Sequence, residues 1–123
     1  VQQIQKVRQP FNVNGLALEC ANQALKNDKF VQKSIKTNQI GKAYLMAELS
    51  QLDCVIPPSQ GNFLYIEFNA IDGIKLCQDL LEKGIIVRSM KSFGQNNAIR
   101  VTIGSSEQNE MFIKELHECL KKQ

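Results

Sequence analysis

Residues 84–109 read GIIVRSMKSFGQNNAIRVTIGSSEQN. Two apolar runs, Ile85–Arg88 and Ala98–Ile103, flank a polar segment containing Ser89, Lys91, Ser92, Gly94, Gln95, Asn96 and Asn97. Branched aliphatic runs around turn-forming residues predict two strands joined by a loop. Strand alternation sets Ala98, Arg100 and Thr102 on one face and Ile99, Val101 and Ile103 on the other. The aliphatic face packs on helices, so Arg100 points away from that core. Arg88 ends the first run, and two arginines on strands joined by one loop can converge on an anion. A guanidinium there can pair bidentately with a carboxylate or phosphate. The plainer alternative is a solvated strand arginine. Both remain open on the pattern alone.

Working outward, Asp72 caps a helix whose Ile74, Cys77, Leu80, Leu81 stripe stops at Gly84. Downstream, Ser105 and Gln108 form a capping box, and the last helix presents Phe112, Ile113, Leu116 and Leu120. Lys121 and Lys122 suit the negative end of that helix dipole. Upstream, CVIP at 54–57 and NFLYIEF at 62–68 read as strands linked by Pro57-Pro58-Ser59-Gln60-Gly61. Phe63, Tyr65 and Glu67 share one face of the second strand, and Leu64, Ile66 and Phe68 the other.

Earlier still, Asn12 or Asn14 caps a helix with Ala17, Cys20, Ala21, Ala24 and Leu25 on one side. Asp28 caps a second helix, from about Lys29 to Leu52, striped by Val31, Ile35, Leu45, Leu49 and Leu52. At roughly 36 Å it exceeds what a small core needs, as a helix joining two domains or making a dimer contact would. The first nine residues are polar, and Pro10 stops whatever precedes it. The predicted class is α+β: a small sheet of about three to four strands covered by helices on one face, preceded by a helix and a long connecting helix. The organisation expected is a helical segment at 1–52 and an α/β domain at 53–123.

The chain has 123 residues, 43% apolar and 22% charged, which suits a globular domain. Its net charge of +3 is spread out, so nucleic acid is not expected as a partner, whereas a small acidic ligand fits. No membrane span or signal segment is legible. Cys20, Cys54, Cys77 and Cys119 are widely spaced and form no CxxC pair. They read as reduced, mostly buried thiols of a cytoplasmic protein, and no metal site is expected. The first residue is valine, which hints that the true start lies upstream.

Other chemistry is sparse. A lysine that attacks a carbonyl needs a desolvated pocket, whereas Lys91 sits in a polar loop and reads as solvated. His117 has no identifiable nucleophile beside it. Tyr44 and Tyr65 read as packing residues, and no glycine-rich phosphate loop can be written.

In order, VRQPFNVNGLALECANQAL (7–25), GNFLYIEF (61–68), LLEKGIIVR (80–88) and IRVTIGSSEQNEMFIKEL (99–116) resemble the C-terminal part of histidinol-phosphate aminotransferase. This family belongs to the fold-type I pyridoxal-phosphate enzymes. The resemblance implies amino transfer between L-histidinol phosphate and 2-oxoglutarate in histidine biosynthesis, with pyridoxal 5'-phosphate as electron sink. It places the substrate carboxylate on Arg100 and the substrate phosphate on Arg88. It places the Schiff-base lysine and every cofactor-binding group in a large preceding domain that nothing here matches. Lys91-Ser-Phe-Gly looks like the family's lysine box but falls where the family has a substrate-side loop. The chain is then expected to be the small C-terminal domain with its connecting helix, inactive alone and without catalytic residues of its own. Family members are cytoplasmic homodimers acting on small molecules. The isolated domain should expose apolar surface on its first helices and self-associate. The alternatives are a related aromatic aminotransferase or threonine-phosphate decarboxylase domain, or a stand-alone binding module.

Overall fold

In the computed structural model, residues 2–8 and 11–121 are described. Pro10 and Lys122 lie outside them. The chain divides into two compact units, Val1–Ile35 and Lys36–Gln123.

The first unit holds α1 (Gln2–Val7), α2 (Gly15–Leu25) and the beginning of α3 (Asp28–Leu49). The pattern at the N-terminus did not predict α1. Asn14, rather than Asn12, caps α2, its Oδ1 accepting from the Ala17 N–H at 2.8 Å. Asn27 performs the same task for α3, accepting from the Phe30 N–H at 3.1 Å. Asp28, expected as that cap, is instead the first helical residue. No residue of α2 is buried, and Leu16, Leu18 and Leu25 are more than half exposed.

In the second unit α3 ends at Leu49, three residues short of the predicted limit. The Ser50 hydroxyl donates to the Ala47 carbonyl, and Leu52 N–H returns to the Leu49 carbonyl, tightening the exit. The sheet contains β1 (Cys54–Val55), β2 (Phe63–Phe68), β3 (Arg88–Ser89) and β4 (Ala98–Thr102), in the antiparallel order β1-β2-β4-β3. β2 and β4 each fall one residue short of the predicted runs, whereas β1 and β3 are only two residues long. Pro57 and Pro58 lack the N–H that would extend β1. For β3 the cause lies in the preceding helix, α4 (Gly73–Glu82). Ile85 N–H returns to the Leu80 carbonyl and Gly84 takes φ 80°, so the chain leaves α4 through a tight left-handed turn. It reaches β4 only at Arg88. Ile85 and Val87 pack on the core instead, while Ile86 is exposed.

Alternation on β2 and β4 decides the core. Leu64, Ile66 and Phe68 of β2 and Ile99 and Val101 of β4 are buried. Against them pack Leu45 and Leu49 of α3, Leu76 and Leu80 of α4, and residues of α5 (Ser106–Leu120). The α5 stripe follows the prediction in Phe112, Ile113 and Leu116, with Cys119 added. Its capping box is formed as read, by Ser105 and Gln108. The fold is the α+β class expected, with helices on one face of a four-stranded sheet.

The start of α4 is locked to β4. Gly73 is buried, its N–H donates to the Asn96 carbonyl at 2.8 Å, and a Cβ there would lie 2.9 Å from the Ala98 N and O. This close approach accounts for the complete burial of Ala98, which alternation had placed with Arg100.

Candidate functional site

The register of the sheet assembles the open face. Tyr65 of β2 lies opposite Arg100 of β4, and Arg100 lies opposite Arg88 of β3. One row across three strands therefore carries a tyrosine and two arginines. Strand periodicity adds Phe63 and Glu67 to the same face of β2.

Each guanidinium rests on an aromatic ring. Arg100 Cζ is 5.0 Å from the centroid of Phe63, and Arg88 Cζ is 5.3 Å from that of Phe93. Neither arginine forms an ion pair or side-chain hydrogen bond with another described residue. Arg100 Nε is buried without a partner. Its Nη atoms, equally unpartnered, are not among the buried orphans, so the terminal edge of the guanidinium is the open one.

Glu67, the carboxylate on this face, is engaged elsewhere. It accepts from the Tyr65 hydroxyl at 3.2 Å and from Asn97 Nδ2 at 3.5 Å. Asn97 is itself held by a 2.7 Å bond to the Phe68 carbonyl. Burial, together with the charge and hydrogen bond of Glu67, pushes the Tyr65 hydroxyl above its ordinary value of 10.0. The result is two like charges in cross-strand opposition, a destabilising arrangement, with no carboxylate among the described residues paired to either. Chemically this face can take an anionic group on either arginine.

The other candidates fall away from it. Lys91 is exposed, in a single 3-10 turn (Lys91–Phe93) that Gly94 closes at φ 82°. His117 is half-buried on α5, on the helical side of the sheet. Among the described residues no His, Cys, Asp and Glu side chains group as a metal site, and no helix is long and apolar enough to cross a membrane. The four cysteines are free. Cys20 is exposed, contrary to expectation, because α2 buries nothing. Burial raises the thiols of Cys54 and Cys77 above their ordinary 9.0, and Asp53 adds to the shift at Cys54.

The family model for aminotransferase class I and II matches residues 1–116. The chain belongs to that family. Over 120 residues it is 40% identical to the histidinol-phosphate aminotransferase of Moorella thermoacetica, a match covering 98% of this chain and 31% of that protein. The chain thus spans about a third of the length of such relatives. The crystal structure of the histidinol-phosphate aminotransferase from Clostridium acetobutylicum superposes with a TM-score of 0.80 at 21% identity, covering 99% of this chain and 38% of that one. That of L-threonine-O-3-phosphate decarboxylase from Porphyromonas gingivalis gives 0.74 at 23% identity, covering 98% and 38%. At these identities the structures establish the aminotransferase-type fold.

Pyridoxal phosphate needs a lysine in a desolvated setting, and the described residues do not offer one. All their lysines except Lys42 are exposed, and Lys42 donates to the Ser59 carbonyl at 2.7 Å. They do not fit as the cofactor's anchor. Sequence reasoning also missed three members of the arginine face. Tyr65 is a hydrogen-bond donor as well as a packing residue, and Phe63 and Phe93 are ring supports. Alternation could have placed Phe63 beside Arg100, but the Phe93 contact needs the path of the loop.

Proposed function

We propose that this chain is the C-terminal small domain of a histidinol-phosphate aminotransferase. In it Arg100 grips the α-carboxylate of the 2-oxo acid substrate, and Arg88 contacts the phosphate of L-histidinol phosphate. The observation that carries the reading is the opposition of two arginines on an open sheet face where no carboxylate among the described residues pairs with them. The family membership and the 40% identity to a named histidinol-phosphate aminotransferase support the choice of substrate. The helical segment 1–52 serves as the connection to the rest of a cytoplasmic, homodimeric parent enzyme.

Pyridoxal 5'-phosphate, held by the large domain of that parent, supplies the electron sink for amino transfer. The part played by this chain is recognition. A bidentate guanidinium fixes both the position and the plane of a carboxylate, which a point charge cannot do. The phosphate contact lets binding energy from a remote, non-reacting group orient the substrate.

The test uses the whole gene product. Arg100→Ala should raise KM for 2-oxoglutarate about 10- to 100-fold, the scale of lost hydrogen bonds to a charged group. Arg88→Ala should act chiefly on L-histidinol phosphate, sparing its dephosphorylated analogue. Unchanged constants in both variants would reject the assignment. The 123-residue chain mixed with pyridoxal phosphate should show no aldimine absorbance that depends on Lys91.

A further inference from the structure

The two arginines lie opposite one another in the register, but the rings that carry their heads belong to different ends of the sheet. Phe63 pairs with Thr102, two residues beyond Arg100 on β4. The ring that carries the Arg100 guanidinium therefore lies toward the end of that strand. Phe93 belongs to the 3-10 turn between β3 and β4, at the opposite end, where Met90 N–H meets the Ala98 carbonyl. The ring that carries Arg88 lies there.

We infer that Phe63 and Phe93 are positioning residues that splay the two guanidiniums apart along the strand direction, so that each takes its own anionic group. The inference rests on reading both arginines as anion-binding residues. A ring beneath a guanidinium occupies one face of the plane and leaves the N–H donors free around its edge. For Arg100 the buried Nε directs the open Nη edge outward. The same splay relieves the repulsion of two cations that share a cross-strand position. Glu67 cannot bridge them, because Tyr65 and Asn97 already hold it. Two separated cationic heads suit a substrate pair in which one member ends in a carboxylate and the other in a phosphate. Converged heads would instead clamp a single anion.

The two geometries differ in how substitutions propagate. The 123-residue chain, uniformly labelled with 15N, is titrated separately with 2-oxoglutarate and with inorganic phosphate while the arginine Nε–H signals are followed. Phe63→Leu should weaken 2-oxoglutarate binding roughly two- to fivefold, the value of one exposed cation–π contact, and leave the response of Arg88 to phosphate unchanged. Phe93→Leu should do the reverse. Phe63→Tyr and Phe93→Tyr should restore wild-type affinity, because each keeps a ring under its guanidinium. Amide spectra of the leucine variants verify that the fold is retained.

If Arg88→Gln and Arg100→Gln each abolish binding of both probes, the arginines share one anion and the splayed arrangement is wrong, while their anion-binding role stands. The splayed arrangement is equally wrong if either leucine variant leaves affinity untouched. If neither glutamine variant changes the binding of either probe, or if wild type shows no response at either arginine, the anion-binding reading fails and this inference with it.

Discussion

Arg88 and Arg100 stand directly opposite each other on neighbouring antiparallel strands, and each is stacked on a ring instead of paired with a carboxylate. Two effects of similar size set the stability of this arrangement. Opposed like charges cost about 0.2–1 kcal/mol, and an exposed cation–π contact returns about 0.5–1 kcal/mol. Arg88→Gln removes both, so urea denaturation should find its stability within about 0.5 kcal/mol of wild type. Inorganic phosphate should stabilise wild type through mass action and should stabilise the variant less, at matched ionic strength. A loss above about 2 kcal/mol would mean that Arg88 is a structural residue.

Gly73 offers a test in which local propensity and tertiary packing disagree in sign. Alanine is favoured over glycine in helices by up to about 1 kcal/mol. A Cβ at Gly73, however, would sit 2.9 Å from the backbone N and O of Ala98, and backbone cannot move aside as a flexible side chain can. Gly73→Ala should therefore destabilise the chain by roughly 1–3 kcal/mol, read as a lower urea midpoint with an unchanged slope. Stabilisation would show that α4 is free to slide on β4.

The contrast between the two units is equally testable. Ile99 is fully buried in the sheet, whereas Leu16 on α2 is 77% exposed. Ile99→Ala should cost about 2–5 kcal/mol, and Leu16→Ala should fall within about 0.5 kcal/mol. The exposed leucines of α2 should instead govern association, since apolar helix surface of this kind promotes it. Leu16→Glu combined with Leu25→Glu should lower the apparent mass in light scattering at high concentration without moving the urea midpoint. An unaltered mass would remove α2 from any self-contact.

These cases separate what was legible in the sequence from what was not. Leu64, Ile66, Ile99 and Val101 were readable as core because one buried face imposes strict alternation, and a one-residue slip would expose all of them. Asp72 and Ser105 were readable as caps because the chemistry is local. The strand expected at 85–88 begins only at Arg88, because apolar branching signals extended chain without saying what it pairs with. The left-handed exit at Gly84 delays pairing until Arg88. The exposure of Cys20 is not legible in the sequence, because periodicity marks a helix face but not whether anything covers it. Alternation put Arg100 on the open face, but its position against Arg88 needed the register, and the roles of both came from resemblance to a family.

Tyr65 provides a prediction in pH. Its hydroxyl is held above 10.0 by burial first, then by the charge of Glu67 and the hydrogen bond to it. A raised pKa means that the folded chain keeps a proton which the unfolded chain loses, so above pH 10 the unfolded state binds fewer protons. Stability attributable to this group is then complete below about pH 10 and declines as pH rises toward the folded value. Raised thiols at Cys54 and Cys77 add a decline of the same sign that begins near pH 9. Urea midpoints measured from pH 8 to pH 11 should therefore fall in wild type, and Tyr65→Phe should flatten the upper part of that fall. The phenylalanine variant also removes the shorter of the two hydrogen bonds that hold Glu67, leaving only the 3.5 Å contact from Asn97. Glu67 lies diagonally across from Arg100 in the register and within reach of a long side chain. At neutral pH, 2-oxoglutarate should accordingly bind Tyr65→Phe more weakly, and Tyr65→Phe combined with Glu67→Gln should recover the affinity. Failure of the second substitution to restore binding would show that Tyr65 does not act by holding Glu67 away from the arginine.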